Sequence, residues 1–149
     1  MAPLRREEPL RFSTKSRYGL RFLLGLALHG SNAPMRLRTI AEREGISKKY
    51  LEQIASTLMA RGLVRSVRGA KGGFVLTKPP DQIRILDVVR ALDGPIHVAD
   101  CLMSPSICKH SSKCVTRGVW QQVNEAIEDV LSRVTLQDLM EEAEQRQQI

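Results

Sequence analysis

The sequence predicts a mainly α-helical fold with one small β-hairpin and a long helix near its end. Three observations carry this: apolar residues at helical spacing through residues 13–60, two short strand-like runs flanking a glycine-rich turn at 63–76, and a 3, 4, 3, 4 apolar repeat from Trp120 to Val134. A chain of 149 residues with 42% hydrophobic content can bury a proper core and is not wholly disordered. No apolar run approaches the roughly 18 residues that span a bilayer, so no membrane partner is expected. The first ten residues lack the apolar stretch of a signal peptide, and a cytoplasmic protein is expected.

Residues 1–10 read as a flexible extension. Ser13 or Thr14 then caps a first helix that ends at Gly30, with Tyr18, Phe22, Leu26 and Leu28 as its apolar positions. Residues 31–34, SNAP, form a turn. Leu37, Ile40 and Ala41 mark a short second helix that Gly45 breaks. Ser47 caps a third helix, whose Leu51, Ile54, Ala55 and Leu58 follow the i, i+3, i+4, i+7 pattern of one buried stripe.

Two short helices joined through Gly45-Ile46-Ser47 make a helix-turn-helix pattern, with a glycine for the tight turn and an apolar plug. Leu63–Val67 has strand character, residues 68–73 turn, and Phe74–Leu76 forms a second strand before Pro79-Pro80. A hairpin directly after the third helix is the wing of a winged helix-turn-helix. Residues 11–93 form this domain, with Ile85–Leu92 as a fourth helix.

Charge gives the domain a partner. Residues 1–80 hold 16 Lys and Arg against 5 Asp and Glu, whereas residues 81–149 hold 7 against 11. A basic half points to a polyanion. Lys48 and Lys49, with Ser47 and Tyr50 beside them, start the third helix where a recognition helix meets the groove. Gln53 can bond adenine bidentately and Glu52 can accept from a cytosine amine. Arg65, Arg68 and Lys71 extend the footprint along the wing, with Arg68 suited to a narrow minor groove. These nine residues are the candidate DNA-binding set. An ordinary solvated surface helix would carry similar residues, and the adjacent cationic wing tips the balance toward double-stranded DNA.

Beyond residue 93 the character changes. Residues 94–116 are polar and loop-like and hold all three cysteines, Cys101, Cys108 and Cys114. Residues 117–149 carry the repeat Trp120, Val123, Ile127, Val130 and Val134, a seam of about two heptads. A regulator of paired half-sites needs a two-fold partner, so this stretch is expected to be a dimerisation helix. Thr135 and Asp138 resemble a capping box opening a final helix.

Clustered thiols in a loop can wrap a soft metal ion or an iron–sulfur cluster, both of which need thiolate ligands. The spacing alone also fits zinc with His110 as a fourth ligand, or unliganded thiols. An enzyme is not expected, since the chain lacks a phosphate-binding glycine loop, a carboxylate pair and a His-x-x-Glu metal motif.

Taken in order, RFSTKSRYGLRFLL, IAEREGISKKYLEQI, GLVRSVRGAKGGFVL, the cysteine triplet and CVTRGVWQQVNEAIEDVLSRVTLQDL resemble the Rrf/BadM-type transcription regulators, and within them the IscR-like iron–sulfur cluster regulators. The resemblance spans roughly residues 11–139. It implies a homodimer, expected to be a repressor, that binds palindromic promoter DNA through the third helix and wing. It also implies a 2Fe-2S or 4Fe-4S cluster held by Cys101, Cys108 and Cys114 whose state sets DNA affinity. The chain departs from the pattern in three places. Six residues separate Cys101 from Cys108 where the cluster-assembly regulator has five. Arg117 stands where that regulator supplies its histidine ligand. Arg17 stands where nitric-oxide sensors supply an acidic ligand to the partner. The fourth ligand therefore falls to His110, Asp100, His97, a small molecule or nothing.

Overall fold

The computed structural model describes residues 10–30, 33–104, 106 and 113–147. In chain order it contains α1 (Thr14–His29), α2 (Leu37–Glu44), α3 (Lys48–Ala60), β1 (Val64–Val67), β2 (Gly73–Leu76), a short 3-10 turn (Pro80–Gln82), α4 (Ile85–Asp93), α5 (Asp100–Met103), α6 (Val115–Arg133) and α7 (Leu136–Gln147). The fold is mostly helical with a two-stranded antiparallel hairpin, as the sequence predicts.

Local chemistry sets the helix ends. The Ser13 hydroxyl accepts from the Ser16 amide at 3.1 Å, relieving one of the unpaired N–H groups at the start of α1. Asp93, at the end of α4, accepts from the Ser13 amide at 3.3 Å and the Ser16 hydroxyl at 2.7 Å, so the start of α1 is tied to the end of α4. Gly45 leaves α2 with φ 65°, the left-handed geometry that glycine adopts without cost, and lets Ile46 turn inward. The Ser47 hydroxyl accepts from the Tyr50 amide at 3.1 Å and starts α3.

One core joins these elements. Phe22 and Leu23 of α1, Leu51, Ile54 and Leu58 of α3, and Val88 of α4 are all fully buried in one cluster. Large aliphatic side chains buried this way contribute about 1.5–3 kcal/mol each. Leu28, expected in the α1 stripe, is 39% exposed, and Leu23 takes its place in the core. The reason is geometric: six residues beyond Phe22, Leu28 is turned about 120° from it around the helix, whereas Leu26 and Ala27 in the same turn are buried.

The hairpin is fastened to the helices at its far strand. Val64 pairs with Leu76, Arg65 with Val75, Ser66 with Phe74 and Val67 with Gly73. Met35 adds a bridge on the other side, its amide donating to the Phe74 carbonyl at 3.0 Å and its carbonyl accepting from the Phe74 amide at 2.8 Å. The backbones come so close here that a Cβ on Gly73 would sit 2.4 Å from the Met35 carbonyl oxygen.

Two features beyond residue 93 differ from expectation. The segment 94–116 is not loop throughout: Asp100–Met103 forms one helical turn, and α6 begins at Val115. A four-residue helix is too short to leave a periodic signature. The chain also returns to the first domain after α6. The Leu136 side chain is fully buried in the common core, and its amide donates to the Ile83 carbonyl at 2.8 Å. The expected capping box starts α7: the Thr135 amide donates to the Asp138 carboxylate at 2.8 Å, and the Asp138 amide donates to the Thr135 hydroxyl at 3.2 Å. No helix among the described residues is long and apolar enough to cross a membrane.

Candidate nucleic-acid interface and cysteine segment

The apolar stripe of α3 is buried against α1 and α4, which turns the opposite side of that helix outward. Lys48, Lys49, Glu52, Gln53 and Ser56 are exposed there, as is the capping residue Ser47. Lys48 and Glu52 approach to 4.0 Å, one helical turn apart, a pair worth little in water. Tyr50 departs from this set. It is half-buried, its ring edge-on to Tyr18 of α1 at 6.0 Å, so most of the ring serves packing.

Arg65 on β1 and Arg68 and Lys71 in the turn are exposed. Two further cations, absent from the candidate set, lie between helix and wing. Arg36 and Arg38 line a shallow groove with Lys48, Val67, Gly69 and Gly73. The Arg36 guanidinium donates to the Ala70 carbonyl, bracing the wing turn against the start of α2. The alternating Met-Arg-Leu-Arg run at 35–38 was the available signal: its two apolar residues are buried and its two arginines point out.

The cysteine segment lies against α6. Cys101 is the second residue of α5 and Cys114 caps the start of α6; both are half-buried free thiols. Cys108, with His110, lies outside the described residues, and no cluster of three metal-ligating side chains occurs among those described. The Cys114 sulfur lies 3.0 Å from the Thr116 hydroxyl. That bond, helped by the Arg117 amide, holds its thiol below the usual range and favours the thiolate that metal binding needs. Of the other candidate ligands, Asp100 is exposed at the start of α5, and the His97 ring nitrogen Nδ1 is 3.3 Å from the Pro95 carbonyl. Arg117 is occupied elsewhere: its guanidinium donates to the Cys101 carbonyl at 3.3 and 3.4 Å.

Helix α6 packs on α4 and α5, and its heptad seam divides. Ile127 and Val134 are half-buried on their own subunit, whereas Trp120, Val123 and Val130 are 47%, 37% and 50% exposed. Val115 and Val119 extend this exposed apolar face toward the cysteine end.

Residues 12–142 match the Rrf2 family, described as an iron-dependent transcriptional regulator. The chain belongs to the Rrf2 family. It is similar to the HTH-type transcriptional regulator IscR of Erwinia tasmaniensis, 38% identical over 91% of this chain and 81% of that one. It is equally similar to the HTH-type transcriptional regulator CymR of Bacillus subtilis, 39% identical over 87% of this chain and 89% of that one. The solved structure of IscR from T. potens superposes with a TM-score of 0.77 at 39% identity, covering 93% of this chain and 92% of that one. As an Rrf2-family member with these relatives, the protein is a DNA-binding transcriptional regulator and not an enzyme. Its winged helix-turn-helix is the architecture of the Rrf2-family structures it superposes on.

Proposed function

We propose that this Rrf2-family protein is a homodimeric regulator whose affinity for promoter DNA is set by an iron–sulfur cluster on Cys101, Cys108 and Cys114. The observation that carries the proposal is that Cys114 caps, and Cys101 is tethered to, the helix whose apolar face is exposed among the described residues. Cys114 starts α6, Cys101 hangs from it through Arg117, and Val119, Trp120, Val123 and Val130 lie exposed further along the same rod.

A second copy of the chain is the occupant of that face. An exposed Trp and four valines on one helix are costly in water, and a two-fold partner offers the same residues in return. Dimerisation places two α3 helices for half-sites about 34 Å apart. Ser47, Lys48, Lys49, Arg65, Arg68 and Lys71 then engage backbone and grooves, Glu52 and Gln53 face base edges, and Tyr50 orients the start of α3 from its half-buried position.

The donor chemistry fits a thiolate-bound group. Two described thiols are free and half-buried, and one is biased toward its anion by Thr116. Cys101, Cys108 and Cys114 would hold the cluster, of 2Fe-2S or 4Fe-4S type, with Asp100, His97 or His110 as the protein candidates for a fourth bond. When bound, such a cluster supplies an oxidisable, ligand-labile centre. The chain's own part is mechanical. The Val98 amide donates to Asn124 of α6 at 3.0 Å, Asn124 donates to Glu128 at 3.1 Å, and Glu128 pairs with Arg90 of α4 at 3.3 Å. Since α4 packs on both α1 and α3, a shift in the cysteine segment reaches the reader along this line. Moving a two-state equilibrium between its extremes takes about 5.5 kcal/mol of differential binding, and a few kcal/mol suffice for regulation.

The similarity to CymR supports a second reading, in which a small-molecule or protein effector controls the dimer and the cysteines are zinc-bound or unliganded. Promoter-duplex affinity of the wild type and of the triple variant Cys101→Ala, Cys108→Ala, Cys114→Ala, with and without bound iron and sulfide, separates the two. Cluster control predicts a change of tenfold or more in the wild type only. Equal affinity in all four states removes it and leaves the effector reading.

A further inference from the structure

We propose that Arg117 and Asn124 are positioning residues that fix the Cys101 thiol relative to Cys114 by clamping the backbone of residues 98–101 to α6. The two side chains stand seven residues apart, two helical turns along one face of α6. Each takes one backbone group of the cysteine segment. The Asn124 side-chain oxygen accepts from the Val98 amide at 3.0 Å, and the Arg117 guanidinium donates to the Cys101 carbonyl at 3.3 and 3.4 Å. Both bonding sites are partly buried, where an unpaired backbone group is costly.

The sequence explains why the clamp is needed. A carbonyl at position 101 in a continuing helix would accept from the amide of residue 105, and position 105 is a proline, which has no N–H. Residue 98 precedes α5 and has no helical acceptor for its amide. Both groups are therefore available to α6, and both are used. Because Cys114 caps that same helix, the clamp makes one rigid body of two thiols that lie far apart along the chain. At position 117 an arginine thus serves through its side-chain donors and not as a ligand. Asn124 is further constrained by donating to Glu128 at 3.1 Å, which orients its amide so that the oxygen faces Val98. The purpose of the clamp rests on the cluster reading above, but its existence does not.

The test uses the full chain, first metal-free and reduced. Amide hydrogen exchange is followed in wild type, Asn124→Leu, Arg117→Leu and Arg117→Lys, together with iodoacetamide alkylation of Cys101 and Cys114. The clamp predicts exchange about tenfold faster at Val98 in Asn124→Leu, and at Leu102 and Ser104 in Arg117→Leu, with residues 119–133 unchanged. Cys101 alkylates faster in both, and Arg117→Lys, which retains a charged donor, recovers part of the protection. The same proteins are then loaded anaerobically with ferrous iron and sulfide, and colour loss to EDTA is timed. The leucine variants should lose it at least about tenfold faster. Unchanged exchange in both leucine variants, or uniform loosening of the whole chain, overturns the clamp. The local exchange changes in the leucine variants, found together with a wild type that takes up no iron or sulfide, support the clamp and remove the cluster reading instead.

Discussion

Replacing Lys48 by alanine should change how binding responds to salt as well as how tight it is. The proposed footprint presents five exposed cations per protomer, Lys48, Lys49, Arg65, Arg68 and Lys71, and so ten in a dimer. Each phosphate neutralised contributes about −0.9 to the slope of log affinity against log salt, giving a limiting slope near −9 if all ten engage. A fourfold rise in salt would then weaken binding by about 260,000-fold. Lys48→Ala removes one contact in each half-site, so the slope should become shallower by about 1.8. The assay is fluorescence anisotropy on a duplex enriched from a random pool, between about 50 and 200 mM salt. Arg146→Ala is the control, since Arg146 is outside the proposed footprint and pairs with Glu142 on its own helix. A wild-type slope shallower than about −4, or a Lys48→Ala slope identical to wild type, would refute this footprint.

Other consequences follow from packing. Leu136→Ala should lower stability by about 2–5 kcal/mol, because the side chain is fully buried where α7 rejoins the core; chemical denaturation measures it, and a loss below about 1 kcal/mol would mean that α7 does not dock. Trp120→Asp should leave the fold intact, since the ring is 47% exposed, but convert the dimer to monomer in analytical ultracentrifugation and abolish tight promoter binding. A persistent dimer would place the interface elsewhere. Arg36→Ala removes the brace to the Ala70 carbonyl, and hydrogen exchange at residues 68–72 should rise while that of α3 stays the same.

What the sequence disclosed was what local chemistry decides. Ser13, Gly45 and Ser47 act within one turn of themselves, and Thr135 with Asp138 closes a capping box over three residues, so each could be recognised without knowing the rest of the fold. The hairpin followed from strand residues around glycines in the same way. The long-range contacts stayed hidden. Leu136 looks like any apolar residue at the start of an amphipathic helix, and only the return of the chain past Ile83 puts it in the core. Tyr50 reads as a polar-tipped surface residue until Tyr18 of α1 is brought beside it. The exposed half of the α6 seam was legible as a repeat, but its division between Ile127 and Trp120 depends on where α4 lies. The cysteine triplet was visible at once. The roles of Arg117 and Asn124 were not, because both act on backbone groups of a segment distant in sequence.

The most direct test of cluster control is a single paired measurement on protein purified without oxygen from iron-replete cells. Iron and acid-labile sulfide are quantified with the visible spectrum, and affinity for the enriched duplex is measured on the same sample before and after removal of the iron. Control by the cysteine segment predicts a coloured protein with matched iron and sulfide and an affinity that changes tenfold or more on removal. A colourless protein, or a coloured one whose affinity does not change, would contradict it.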